Sequence, residues 1–113
     1  MDDRFLIEEA LERCDGDREF LSELMDMFFQ ELPTSLSGLR ESLESEDCDG
    51  VFKQAHALKS SLGNLGAGRA FKTAKELEVA GKGKNLEDCQ RLFHKLESDI
   101  EEFSLAVKEM LAV

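Results

Sequence analysis

From Leu86 to Met110 the chain repeats an apolar residue at steps of 3, 4, 3, 4, 3, 4 and 3: Leu86, Cys89, Phe93, Leu96, Ile100, Phe103, Val107 and Met110. A strand alternates its side chains with period two, so this spacing belongs to one face of a long α-helix. Asn85 is a suitable N-cap, and Glu87 and Asp88 place negative charge in the first turn, where the helix dipole favours it. An apolar stripe this long needs an apolar cover of equal length. A dimeric coiled coil is one way to supply it. The rest of the chain offers three more amphipathic segments that need partners themselves, so the seam predicts a long antiparallel bundle helix.

Those segments lie upstream. Residues 18–44 carry Leu21, Leu24/Met25, Phe28, Leu32, Ser35/Leu36, Leu39 and Leu43 at three- and four-residue steps. Pro33 falls inside this stripe without changing its phase, which predicts a kinked but continuous helix. Phe20, Met27 and Phe29 lie off the stripe; they either pack on the short leading segment or form an exposed docking patch. A third helix is expected from near Val51, with Val51, Ala55, Leu58, Leu62 and Leu65 inward and Gly66 as its stop. A fourth is expected over 67–80, with Ala67, Ala70/Phe71, Ala74 and Leu77 inward and a turn at Gly81-Lys82-Gly83-Lys84. Residues 4–13 read as a short amphipathic helix capped by Asp2 or Asp3 and broken by Cys14-Asp15-Gly16-Asp17. No stretch alternates like a strand. The expected fold is all-α, an up-down four-helix bundle with a short extra N-terminal helix, forming one domain over residues 1–113.

Composition narrows the function classes. Apolar residues make up 42% and charged residues 35% of the 113, as in a soluble globular chain. No apolar run approaches the roughly 20 residues of a membrane span, and Met1-Asp2-Asp3-Arg4 does not begin a signal peptide. Cys14, Cys48 and Cys89 are too few and too scattered for a disulfide framework or a zinc site; they read as reduced thiols near the core. A cytoplasmic monomer without membrane attachment is expected. The net charge of −11 argues against nucleic acid as a partner. The charge is unevenly spread, however. Lys53 to Lys84 contains seven basic residues against Glu76 and Glu78, a local +5 in a chain that is otherwise −16. Such an island is either a chance cluster on solvated helix faces or a positive field for an anion or acidic partner.

His56 lies in that island, in Ala55-His56-Ala57-Leu58-Lys59-Ser60-Ser61-Leu62-Gly63. Phe52, His56 and Lys59/Ser60 form an outward stripe about 100° from the inward one, so His56 and an exposed Lys59 are neighbours one turn apart. Imidazoles titrate near pH 6.5 and offer a nucleophilic nitrogen at pH 7. Phosphoryl transfer passes through a loose transition state and asks mainly for positioning and positive charge, which Lys59, or Lys53 at i−3, supplies. Ser60 and Gly63 are small enough to let another domain approach. His-x-x-Lys alone fits a solvated surface histidine equally well. His94, in Phe93-His94-Lys95, lies outside both the seam and the island and is the internal comparison.

His56-Ala57-Leu58-Lys59-Ser60-Ser61 with Asn64-Leu65-Gly66-Ala67 resembles the histidine-containing phosphotransfer (HPt) domain, whose pattern is approximately His-x-Leu-Lys-Gly-Ser with a downstream Leu-Gly-Ala. Phe28-Phe29-Gln30-Glu31-Leu32-Pro33 and Leu77-Glu78-Val79-Ala80-Gly81-Lys82-Gly83 are similar to the family's flanking helices, so the resemblance covers roughly residues 18–110. It implies a four-helix bundle that relays a phosphoryl group between receiver-domain aspartates in a two-component phosphorelay, with His56 phosphorylated and Lys59 supporting. The implied partners are the receiver domain of a response regulator or of a hybrid sensor histidine kinase. Receivers carry the acceptor aspartate and the magnesium, so the chain itself is expected to need no cofactor and no metal. Ser60 stands where the family usually has glycine, close to the phosphoryl group. No phosphate-cradling pattern is present, which predicts a phosphoryl carrier rather than a kinase. Phe20, Met27, Phe52, Lys53 and Gly63 are the candidate partner-binding residues. The competing reading is a non-phosphorylated helical adaptor that binds a signalling partner through an apolar patch.

Overall fold

A computed structural model describes residues 2–111; Met1, Ala112 and Val113, which the expected 1–113 unit includes, lie outside the described residues. Five helices follow in order: α1 (Ile7–Arg13), α2 (Arg18–Glu44), α3 (Cys48–Asn64), α4 (Gly68–Lys82) and α5 (Leu86–Met110), with no strand among the described residues. Short polar side chains decide where three of them start. Asp17 accepts from Phe20 N, Asp47 from Gly50 N and Asn85 from Asp88 N, each cap stabilising its helix by about 1 kcal/mol. The Asp47 cap starts α3 at Cys48, ahead of the expected Val51. α2 runs unbroken through Pro33, as the constant phase of its stripe requires.

Connections of three residues between successive long helices force each to reverse on the last. α3 packs on α4, α4 on α5 and α2 on α3, and α2 meets α5 to close the ring. The result is the expected all-α bundle with a short leading helix. The seam of α5 is covered from within the chain: Cys89, Phe93, Leu96, Ile100 and Phe103 are at most 3% exposed. Leu92, Asp99 and Ala106 are buried beside it, so the covered face is broader than the seam. The one buried carboxylate there, Asp99, accepts a 2.5 Å bond from Thr73 Oγ1 of α4, which satisfies a group that would be costly to bury alone. Phe103 is the centre of an aromatic cluster, with Phe5, Phe29 and Phe28 at 5.6, 5.8 and 6.2 Å. Phe29 is thereby a packing residue, whereas Phe20 and Met27 stay 47% and 58% exposed. The three thiols are free. Burial, then the neighbouring Cys48, pushes the Cys89 thiol up to about 11, which keeps it protonated and unreactive.

Two further expected boundaries move because of tertiary contacts. α1 begins at Ile7 rather than residue 4, because Phe5 is drawn into the core and Asp2 and Asp3 serve arginines instead of capping. Asp2 binds Arg4, which holds its carboxyl down to about 2. Asp3 binds the Arg69 guanidinium, and its carbonyl accepts from Arg69 N at 2.7 Å. At the other end, Gly81 and Lys82 belong to α4 rather than to a turn. Gly81 is buried against α3, where a Cβ would lie 2.8 Å from Phe52 N and 3.1 Å from Cys48 O.

The expected stop at Gly66 is found in the three-residue connection, where its φ of +77° and the carbonyl of Leu6 both exclude a side chain. Leu6 N donates to Gly66 O at 2.7 Å, so the N-terminal segment is strapped across the α3–α4 connection. A Cβ at Gly66 would stand 2.7 Å from Leu6 O. Gly66→Ala is therefore expected to lower unfolding stability in urea by more than about 1 kcal/mol, with protease sensitivity rising at residues 2–6.

Candidate functional site

α3 carries two stripes with different tasks. Val51, Ala55, Leu58 and Leu62 are buried. His56, one residue from the buried Ala55, is consequently lifted out, with its side chain 61% exposed. Phe52, half-buried one turn back, lies nearly parallel to the imidazole at 6.5 Å between ring centres. Its ring restricts the histidine from the N-terminal side.

The decisive neighbour comes from α4. Glu78 is mostly covered; one carboxylate oxygen, Oε2, contacts His56 Nδ1, and the other, Oε1, accepts from Lys59 Nζ at 2.8 Å. The Lys59 ammonium beside it holds the Glu78 carboxyl below the usual range; burial opposes this, and the contact with His56 adds to it. An ionised carboxylate only accepts hydrogen bonds. The proton of a neutral His56 therefore resides on Nδ1, and the lone pair on Nε2 faces outward. One carboxylate thus favours one tautomer and one orientation of the ring.

The same bridge corrects the electrostatic picture. Lys59 is half-buried, its side chain 20% exposed, rather than the free lysine its outward register implies. Its charge is balanced by Glu78. Lys53 pairs with Asp49 at 3.3 Å and Arg69 with Asp3 at 2.7 Å, so part of the basic island is neutralised within the chain. Lys75 and Lys82, at i−3 and i+4 from Glu78, remain exposed on the same side of α4 and carry the positive rim.

Ser60 Oγ donates to the His56 carbonyl at 3.3 Å, its local bond within α3. Above Gly63 the space is taken by Phe71, whose ring atoms would meet a Cβ at 3.1 and 3.2 Å. Phe20 and Met27 present an exposed apolar edge of α2, in a helix separate from the histidine. His94 stands apart, 81% exposed, with Glu97 at 3.6 Å as its ion-pair partner. The described residues include no group of three or more side chains disposed to hold a metal ion and no helix able to cross a membrane.

Glu78 is the residue that sequence reasoning passed over. It entered as an acid diluting a basic island and as one letter of a family-like flank, with no role of its own. The available signal was its place beside the inward Leu77, which aims it along the α3-facing side of α4.

The Hpt domain family model matches residues 23–106. Over 88 residues, 78% of the chain, the sequence is 26% identical to the phosphorelay intermediate protein rdeA of Dictyostelium discoideum, spanning 35% of that protein's length. Over 113 aligned residues, 97% of the chain, it is 25% identical to histidine-containing phosphotransfer protein 2 of Arabidopsis thaliana, spanning 72% of it. No solved structure matches the chain.

The depressed Glu78 pKa sets a pH dependence. A carboxyl lowered on folding stabilises the fold above its unfolded value, ordinarily 4.5, and that contribution is lost as pH falls through the folded value. Wild type should exceed Glu78→Gln in unfolding free energy by a constant amount above about pH 5, and the gap should close progressively below about pH 4. Chemical denaturation at several pH values measures it.

Proposed function

This chain belongs to the Hpt domain family, and on that premise we propose that it relays a phosphoryl group through His56 Nε2. Hpt proteins are phosphocarriers rather than kinases, and they work with receiver domains and histidine kinases in phosphorelays. The observation that carries the assignment to His56 is the Glu78 contact at Nδ1, which engages one ring nitrogen of an exposed side chain and leaves Nε2 as the nitrogen available to a partner.

The chemistry follows from that contact. Nε2 attacks the phosphorus of an aspartyl phosphate on a receiver; the N–P bond forms as the P–O bond to the carboxyl oxygen breaks, and the aspartate leaves as carboxylate. The imidazole keeps its Nδ1 proton, so positive charge grows on the ring, and the Glu78 carboxylate stabilises it. Retaining that proton also keeps the ring a good leaving group for onward transfer to a second aspartate. Lys59, held by Glu78 one turn from the histidine, places an ammonium beside the equatorial phosphoryl oxygens. Ser60 is one turn on, and rotation of its hydroxyl turns it from the His56 carbonyl towards the phosphoryl group. Acceptor aspartate and magnesium belong to the receiver, so the chain acts as a carrier domain without a nucleotide site of its own.

The exposed Phe20 and Met27 favour a second reading, a helical adaptor that never becomes phosphorylated. A partner that binds wild type and His56→Gln alike, with no acid-labile phosphate detected at any stage, selects it.

Label from a phosphorylated receiver should pass to the wild-type protein and to His94→Gln but not to His56→Gln; label on the His56 variant ends the proposal. Lys59→Ala should slow transfer by about tenfold or more, as loss of a charge-stabilising donor does. Its stability cost should be about 1–2 kcal/mol, between that of an exposed and of a buried ion pair. Rapid-quench kinetics and urea melts separate the two effects.

A further inference from the structure

Beside the histidine, a cleft of about 480 Å³ runs from Lys59 and Ser60 past Gly63 and Phe71 to α1, where Glu9 and Arg13 line it. α1 lies wholly outside the family-matched residues 23–106. Its side-chain link to α3 is Arg13, whose Nη1 donates to Gly63 O at 3.1 Å. Four of the six arginines, Arg4, Arg40, Arg69 and Arg91, are ion-paired. Arg13 has no carboxylate within 4 Å among the described residues, although Glu9 stands one turn away. It is committed instead to a neutral carbonyl in the last turn of α3, where a cation is favoured. The bond uses one of the five guanidinium donors and none of the charge.

We propose that Arg13 is a specificity-determining residue for the transfer partner, reading an acidic loop of the receiver that seats in this cleft while its aspartate meets His56. The inference rests on the phosphotransfer reading and adds a residue to it. Gly63 is seven residues from His56, two turns along the same face and about 10 Å away. A typical interface covers about 800 Å² per partner, a disc of roughly 16 Å radius. Arg13 thus falls inside any ordinary footprint centred on the histidine. Charge complementarity selects the occupant: Lys59 is already paired with Glu78, and Arg13 is the cleft cation with no carboxylate within 4 Å among the described residues, so the segment that seats there has to bring a carboxylate within its reach. A cation supplied by a helix outside the family segment is a means of telling one receiver from another while the shared chemistry stays unchanged.

The test uses full-length wild type, Arg13→Ala, Arg13→Lys and Arg13→Glu, with isolated receiver domains charged by acetyl phosphate as donors. Phosphoramidate, which is small and needs no docking, is the partner-free phosphodonor. The half-saturating receiver concentration should rise about 3- to 5-fold in Arg13→Ala and about tenfold in Arg13→Glu, with Arg13→Lys near wild type. The salt dependence of transfer should weaken in the first two variants, and the rate at saturation and phosphoramidate labelling should hold. An unchanged half-saturation and salt slope overturns the role. So does parallel loss of receiver and phosphoramidate labelling, which would make Arg13 a support of the fold. If phosphoramidate labels His56 in wild type and no receiver does, the phosphotransfer reading itself fails and takes this inference with it.

Discussion

The absent side chain at Gly81 lets α4 descend onto α3 where Phe52 N and Cys48 O lie closest. Ala70, Ala74 and Ala55, all fully buried, keep the interface thin along its length. Only at that separation does a glutamate on one helix span to a histidine and a lysine on the other. The polar bridge that orients His56 is a product of apolar packing below it. A side chain at Gly81 would push α4 off the α3 backbone and carry the carboxylate with it.

That geometry converts a basic segment into a balanced one. The bare sequence suggests a cationic cradle waiting for an anion, whereas the folded protein holds Lys59 and Glu78 as a pair with the imidazole between charge and solvent. A site neutral at rest has a use. Unbalanced cations would hold the phosphoryl group tightly, and a carrier has to give it up. Balanced charge keeps the loaded and unloaded states closer in free energy, as a phosphocarrier requires.

Helix count, phase and most caps were legible because each rests on local rules: Asp17 and Asn85 announce starts, and the α5 seam announces its face. The outward placement of His56 followed from its neighbour Ala55 facing in. The early start of α3 was a local miss, set by the Asp47 cap, and most of the others came from contacts distant in sequence. The displaced start of α1 depends on Asp3 meeting Arg69 and Phe5 meeting Phe103. The burial of Gly81 depends on α3. The role of Glu78 depends on two side chains in another helix. Lys59 looked exposed because register on one helix says nothing of the acid that folds over it. The family-like Leu65-Gly66-Ala67 was readable as a stop, but its second duty, receiving the N-terminal backbone, was not.

The strap between Leu6 and Gly66 bears on the order in which the protein assembles and comes apart. His56 and Glu78 are 22 residues apart, within one helical hairpin, whereas Asp3 and Arg69 close a span of 66. Threefold longer closure costs about 1 kcal/mol more chain entropy. The hairpin that brings His56 to Glu78 can form early and from local contacts. The strap and the helix it anchors close the longer span, at the greater entropic cost. Fluctuations that release the N-terminal segment would remove the Arg13 contact while leaving the histidine, its lysine and its carboxylate in place. The Glu78 bridge and the Arg13 contact then reside in parts of the molecule closed over different spans of chain.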